Sequence, residues 1–182
     1  DGRSRRGCVV VNGAFRLGVI ASANAGRGDP QIHWSTATQW DHVAANNSPG
    51  WEGYTLRQRI SASLLPAANY LRFTFAASSL GAATVAACRV QLAGAGKLDF
   101  ASAPVVVRAG GLSSFTVPAN SILLSDPIPF PMDGSKDIVI AVALPPSPPS
   151  AVKRGSGTDG WSTGYKAGAE ADTLVASGYT SA

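Results

Sequence analysis

The sequence predicts an all-β protein, an antiparallel two-sheet β-sandwich of jelly-roll-like form. Apolar residues recur at every second position, or in short β-branched runs, along the 182-residue chain. Gly, Pro and Asn turns separate these runs at intervals of roughly 10–20 residues, the spacing of sandwiches and jelly rolls. No segment carries a sustained apolar period of about 3.6 residues, so no helical layer is expected.

The elements follow in order. Cys8-Val9-Val10-Val11 stops at Asn12-Gly13, a type I′ hairpin signal, and Phe15–Val19 alternates as the returning strand. Residues 21–50 are rich in Ala, Asn, Ser and Gly and are broken by Gly26, Gly28, Pro30, Pro49 and Gly50. They predict a long excursion with one short strand around Ile32–Thr36, and loops of such length are often functional. Tyr54–Ile60 alternates in part, and Tyr70–Phe75 alternates with Leu71, Phe73 and Phe75 on one face. Thr84–Leu92 follows with Cys88, Val90 and Leu92 in phase, then Val105–Val107 and Ser114–Val117. Ile138–Val142 is a buried run, and short elements near Trp161–Tyr165 and Thr173–Tyr179 close the chain. The prolines of Leu144–Pro149 exclude a central strand or a helix there and predict a stiff polyproline-type connection. No internal repeat of about 20–50 residues is visible. The division is one structural domain, with residues 1–50 as a hairpin and long loop appended to a sandwich over residues 51–182. A chain of this length buries about 70% of its unfolded surface, so it needs no metal or disulfide framework.

Apolar residues make up 45% and charged residues 14%, against about 25% charged in an average soluble protein. An uncharged surface suits a protein that lies against other surfaces, or a stable extracellular domain with few ion pairs. The net charge of +4 sits partly in Arg3, Arg5 and Arg6, a candidate contact for an acidic partner or a solvated terminus. No basic stripe with interleaved aromatics follows, which argues against nucleic acid. No apolar run nears the roughly 18 residues that span a bilayer, so no membrane span is expected. No signal peptide is visible, and the chain begins at Asp1 with Met132 its only methionine, as in a processed chain or a piece of a longer one. The expected location is extracellular or on a virion surface.

No catalytic residue is assigned. His33 and His42 are the only histidines, Asp41 adjoins His42, and no Gly-x-Ser-x-Gly elbow accompanies them. They read as polar loop residues. No cofactor and no metal are expected, because neither the histidines nor Cys8 and Cys88 have zinc-ligand spacing. Asp126, Asp133 and Asp137 around Gly134 fit turn chemistry better than calcium. Cys8 and Cys88 lie in strand-like stretches, as a possible disulfide or as two buried thiols. Arg27-Gly28-Asp29 matches the integrin tripeptide, and Asn46-Asn47-Ser48 is a glycosylation sequon spoiled by Pro49; both are short enough to arise by chance. Trp34, Trp40, Trp51 and Trp161 are the candidate ligand-binding residues, since flat indoles stack on sugars or anchor protein partners. The alternative is that they plug the ends of the sandwich.

From Tyr54 onward a series of motifs appears: Thr55-Leu56-Arg57-Gln58, Leu71-Arg72-Phe73-Thr74-Phe75, Phe115-Thr116-Val117-Pro118-Ala119-Asn120, Leu124-Ser125-Asp126-Pro127-Ile128 and Asp137–Pro145. Their order resembles the β-sandwich domain that precedes the catalytic domain in some SGNH (GDSL-type) esterases and lipases. The resemblance covers roughly residues 52–180 and implies a jelly-roll-like accessory module. The family's catalytic Gly-Asp-Ser block is absent, since Gly28-Asp29 is followed by Pro30, and its Asp-x-x-His block is missing too. The resemblance therefore transfers no catalytic residue.

Three functions are weighed. The first is a non-catalytic assembly module, such as a phage or virion decoration, collar or tail protein, whose partners are other protein subunits in a homo-oligomer. The second is a carbohydrate-binding accessory module that holds a polysaccharide. The third, resting on the family alone, is an esterase.

Overall fold

The computed structural model describes residues 16–22, 35–40, 52–77, 81–146 and 161–181. Their strands are β1 (Arg16–Ser22), β2 (Ser35–Trp40), β3 (Tyr54–Ile60), β4 (Ala68–Ala76), β5 (Ala83–Val85), β6 (Ala87–Leu92), β7 (Val105–Val106), β8 (Phe115–Val117), β9 (Ile122–Leu124), β10 (Ile128–Met132), β11 (Ile138–Ala143), β12 (Trp161–Ala167) and β13 (Thr180–Ser181). One 3-10 turn, Ala62–Leu64, is the only helical piece among the described residues. The protein is all-β, and every strand pair is antiparallel.

A six-stranded sheet runs β13-β12-β3-β11-β6-β7, and β5 pairs with β8 alone. A five-stranded sheet runs β10-β4-β1-β2, with β9 also paired to β4. One buried cluster draws on all three sheets. Leu71, Phe73, Phe75, Ile128 and Phe130 come from the five-stranded sheet, Ile60, Val90, Ile138, Ile140 and Val142 from the six-stranded one, and Val85, Phe115 and Val117 from the pair. Phe75 and Phe115 meet at 4.9 Å between ring centroids, in a tilted arrangement that favours aromatic contact.

The strand β11 shows why the sequence folds this way. It is buried along its whole length between β3 and β6. Its large side chains, Ile138, Ile140 and Val142, enter the main cluster. Val139, Ala141 and Ala143 point to the opposite face and form a second cluster with Phe100 and Ala171. Continuous apolarity along a strand signals that both faces are covered, and the small residues leave room for the chain that covers the second face.

Several boundaries differ from expectation. Thr84–Leu92 is two strands in two sheets, because the chain bends at exposed Ala86, whose N–H donates to Ala143 O (2.9 Å). The strand expected around Ile32–Thr36 runs later, over Ser35–Trp40. Phe15–Val19 was expected to pair with Cys8–Val11, which lies outside the described residues. The strand found there, β1, pairs with β2 and, along its full length, with β4. Thr173–Tyr179 is a run of turns and bends rather than a strand, held by polar contacts described below.

Candidate functional site

The strand β4 has one edge on β1. The other edge carries two short strands in succession, β9 beside Thr74–Ala76 and β10 beside Ala68–Leu71. Ser125 makes the junction. It is fully buried. Its N–H donates to Phe73 O (2.8 Å), and its Oγ accepts the Phe73 N–H (2.9 Å) while donating to Asp126 O (3.0 Å). A side-chain oxygen thus replaces a ladder carbonyl, so the chain leaves register without orphaning a buried amide. Arg72 Nε donates to Ser125 O (2.9 Å) on the same corner.

Asp126 fastens the corner outward. Its carboxylate accepts the N–H groups of Gly110 (3.0 Å) and Gly111 (2.8 Å). Both glycines have positive φ, 59° and 79°, where a side chain would be strained. At the upstream end of β9, Ser121 N–H and Oγ–H both reach Pro118 O (3.2 and 2.6 Å), with Asn120 in the left-handed region at φ 54°. Asn tolerates that conformation at the third position of a tight turn.

The two strands between these fixings differ in surface chemistry. In β10, Pro129 and Pro131 are exposed while Ile128, Phe130 and Met132 are buried. In β9, Leu123 packs on the core and Ile122 and Leu124 are exposed at 54% and 42%. Ser125 N–H reaches Phe73 O and Ala77 N–H reaches Ser121 O, so by antiparallel alternation Leu123 is the residue that bonds β4. The N–H and C=O groups of Ile122 and Leu124 therefore point away from the sheet. No ladder runs along that edge among the described residues.

A second concentration of polar groups lies on the far face of the six-stranded sheet. Thr55, Arg57 and Arg59 alternate outward from β3 beneath the segment that joins β12 to β13. Arg57 is fully buried. Its Nη1 donates to Leu98 O (3.0 Å), and its Nη2 to Glu170 O (3.1 Å) and Thr173 O. The guanidinium carbon lies 4.4 Å from the Phe100 ring centroid and 5.2 Å from that of Tyr179, a desolvated cation–π arrangement. Arg57 Nε and the Tyr179 hydroxyl have no hydrogen-bond partner of normal geometry. Burial pushes the Tyr179 phenol up, and the neighbouring guanidinium opposes that shift without outweighing it. Thr55 Oγ1 donates to Gly168 O (2.7 Å) and accepts the Glu170 N–H (2.9 Å). Arg89 forms a bidentate pair with Asp172 (2.5 and 3.2 Å). Every contact here ties one part of the chain to another, as a clasp does.

The remaining aspartates have local tasks. Asp133 Oδ1 accepts from Ser135 N–H and Oγ–H (2.8 and 2.6 Å), which holds its carboxyl below the usual range. Partial burial raises Asp137, but the Ala62 N–H and the Arg59 guanidinium outweigh burial and hold it low. No group of three or more His, Cys, Asp or Glu side chains is placed to hold a metal among the described residues. A shallow groove of about 340 Å³ is lined by Asn69, Leu92, Pro131, Met132, Asp133 and Lys136.

Of the residues singled out from sequence, Trp40 ends β2 and Trp161 begins β12, so they belong to different sheets. Trp34, Trp51, Arg3, Arg5, Arg6, His33, His42, the Arg27-Gly28-Asp29 tripeptide and the Asn46 sequon lie outside the described residues. Cys88 is buried in β6, where desolvation pushes its thiol far up and leaves it inert as a nucleophile. Cys8, the other half of the possible disulfide, lies outside the described residues. Ile122 and Leu124 went unnoticed in the sequence. The available signal was Ile122-Leu123-Leu124 itself, because three apolar residues in a row on an edge strand leave at least one facing out. No protein-family model and no curated protein matches the chain. Among the described residues no helix is long and apolar enough to cross a membrane.

Proposed function

We propose that this chain is a non-catalytic assembly module, a jelly-roll-like sandwich of its two larger sheets that packs against further copies of itself in an extracellular or virion-surface particle. One observation carries the reading. The stretch from Ala109 to Ser125 contains no ionisable side chain, is mostly exposed, and presents Leu112, Ile122 and Leu124 outward. Among the described residues, Arg57, Arg59, Arg72, Asp126 and Asp137 are engaged in holding the fold. A stretch without charges that exposes apolar side chains is suited to burial against protein.

The likeness in motif order to SGNH accessory domains supports the sandwich, and the shared cluster of both sheets agrees with it. Carbohydrate binding would call for a common aromatic platform. Trp40 and Trp161 sit in different sheets, and no aromatic ring is among the described residues lining the groove, so assembly is the preferred function. Light scattering on the purified chain tests it. The expected result is a discrete species larger than one chain, dissociating on dilution. A single-chain mass at every concentration up to the millimolar range would reject the reading.

A further inference from the structure

We infer that residues 168–181 form a strap that detaches from the six-stranded sheet as one unit while both larger sheets stay folded. The inference does not depend on the assembly reading. Over residues 168–180 only Ala171 is buried, and Leu174 and Val175 are exposed at 47% and 61%. At the far end β13 pairs with β12 at two positions, Gly164 with Ser181 and Tyr165 with Thr180. A segment that buries so little apolar surface opens at a lower free energy than the core strands do.

The closed strap is directed by polar groups. Strand register lines up Arg57, Ala141 and Arg89 in one row across β3, β11 and β6. The strap lays Glu170, Ala171 and Asp172 along that row. Arg57 Nη2 donates to Glu170 O, Ala171 shares a buried cluster with Ala141, and Asp172 pairs with Arg89. The fit is incomplete. The Asp172 side chain is 69% exposed, so solvent screens its pair. Arg57 Nε and the Tyr179 hydroxyl lie buried without a hydrogen-bond partner of normal geometry, and opening lets water reach both. The hinge is Gly168, whose φ of 103° turns the chain out of β12 and whose missing side chain lets that angle change. Opening uncovers Phe100, Val139, Ala141 and Ala143 with the guanidinium groups of Arg57 and Arg89 beside them, a basic face on small residues that the closed chain hides.

The test is native-state hydrogen exchange on the full chain in low urea. Four amides report on the strap: Gly168 to Gly53 O, Glu170 to Thr55 Oγ1, Ala176 to Asp99 Oδ1, and Phe100 to Leu174 O. They are expected to share one opening, about a hundredfold or more faster than the amides of β11, with a smaller urea dependence. Thr55→Val removes the donor to Gly168 O and the acceptor of the Glu170 N–H. It is expected to speed all four about tenfold, Ala176 and Phe100 included, while β4 and β11 are unchanged. Strap amides that follow β11 in both rate and urea dependence in the wild-type chain overturn the inference. So does a Thr55→Val response confined to Gly168 and Glu170, because the segment then does not open as a unit.

Discussion

The two faces of the six-stranded sheet are both covered, by different physics. The inner face meets Phe73, Phe75, Ile128 and Phe130 through apolar contact. The outer face meets the segment between β12 and β13, where only Ala171 joins Phe100 and the small residues of β11 in a dry cluster. There the cover is held by polar groups: Arg57 on its carbonyls, Thr55 on Gly168 and Glu170, Arg89 on Asp172, and Asp99 accepting the Ala176 N–H at 2.7 Å. Close approach belongs to the same design. A Cβ on buried Gly164 would sit 2.5 Å from Leu98 Cδ1 and 3.3 Å from Thr180 O, so a larger residue there would have to displace the Leu98 side chain. Apolar burial scales with area and tolerates reshaping. A clasp of named hydrogen bonds fixes one arrangement and fails when one member is lost.

The largest effect expected of this contrast is on the inner face. Phe73→Ala leaves a cavity under both larger sheets and is expected to cost about 3–5 kcal/mol in urea unfolding, with all amides losing protection together. A loss below 1 kcal/mol would mean that Phe73 is not central to the core. Next comes the outer face. Arg57→Ala leaves the carbonyls of Leu98, Glu170 and Thr173 without their donor, at an expected cost of about 2–3 kcal/mol. Its signature is local: hydrogen exchange should quicken at residues 168–179 and at 94–100 while β4 keeps its protection. Uniform loss across both faces would erase the distinction between them.

The smallest effect is on pH. Glu170, held by Thr173 and Lys166, and Asp137, held by Ala62 and Arg59 against its own burial, both have folded-state carboxyls below the usual values of 4.5 and 3.8. The unfolded chain then binds more protons in acid, so their contribution is present above those values and is lost as pH falls through the lower, folded ones. The urea midpoint should decline modestly from about pH 5 to pH 3, with exchange at residues 168–179 rising first. A flat midpoint over that window would detach these carboxylates from the stability of the outer face.

The sequence read the inner face well. Leu71, Phe73 and Phe75 alternate with polar neighbours and are all fully buried, and the Ile138–Val142 run is buried throughout. Alternation reports which residues are apolar and in phase, and the inner face is made of those. The outer face was illegible for the same reason. Thr55, Arg57 and Arg59 look like a solvent-facing row, and the burial of Thr55 and Arg57 depends on backbone groups from residues up to 116 positions away, which no local pattern encodes. The strand β10 was hidden by its prolines, which suit an edge and disguise it as a loop. The candidate edge escaped because exposure of Ile122 and Leu124 follows from the pairing of β9 with β4, a contact between distant segments.

The corner at Ser125 and Asp126 has an engineering consequence. With the Pro118–Ser121 turn at one end and the Asp126 carboxylate on Gly110 and Gly111 at the other, β9 is a cassette between two fixed clamps. Its outward residues can be exchanged for other chemistry while Leu123 and the clamps keep the frame. New recognition could then be written into this edge, by design or by evolution, without re-registering β4 or β10.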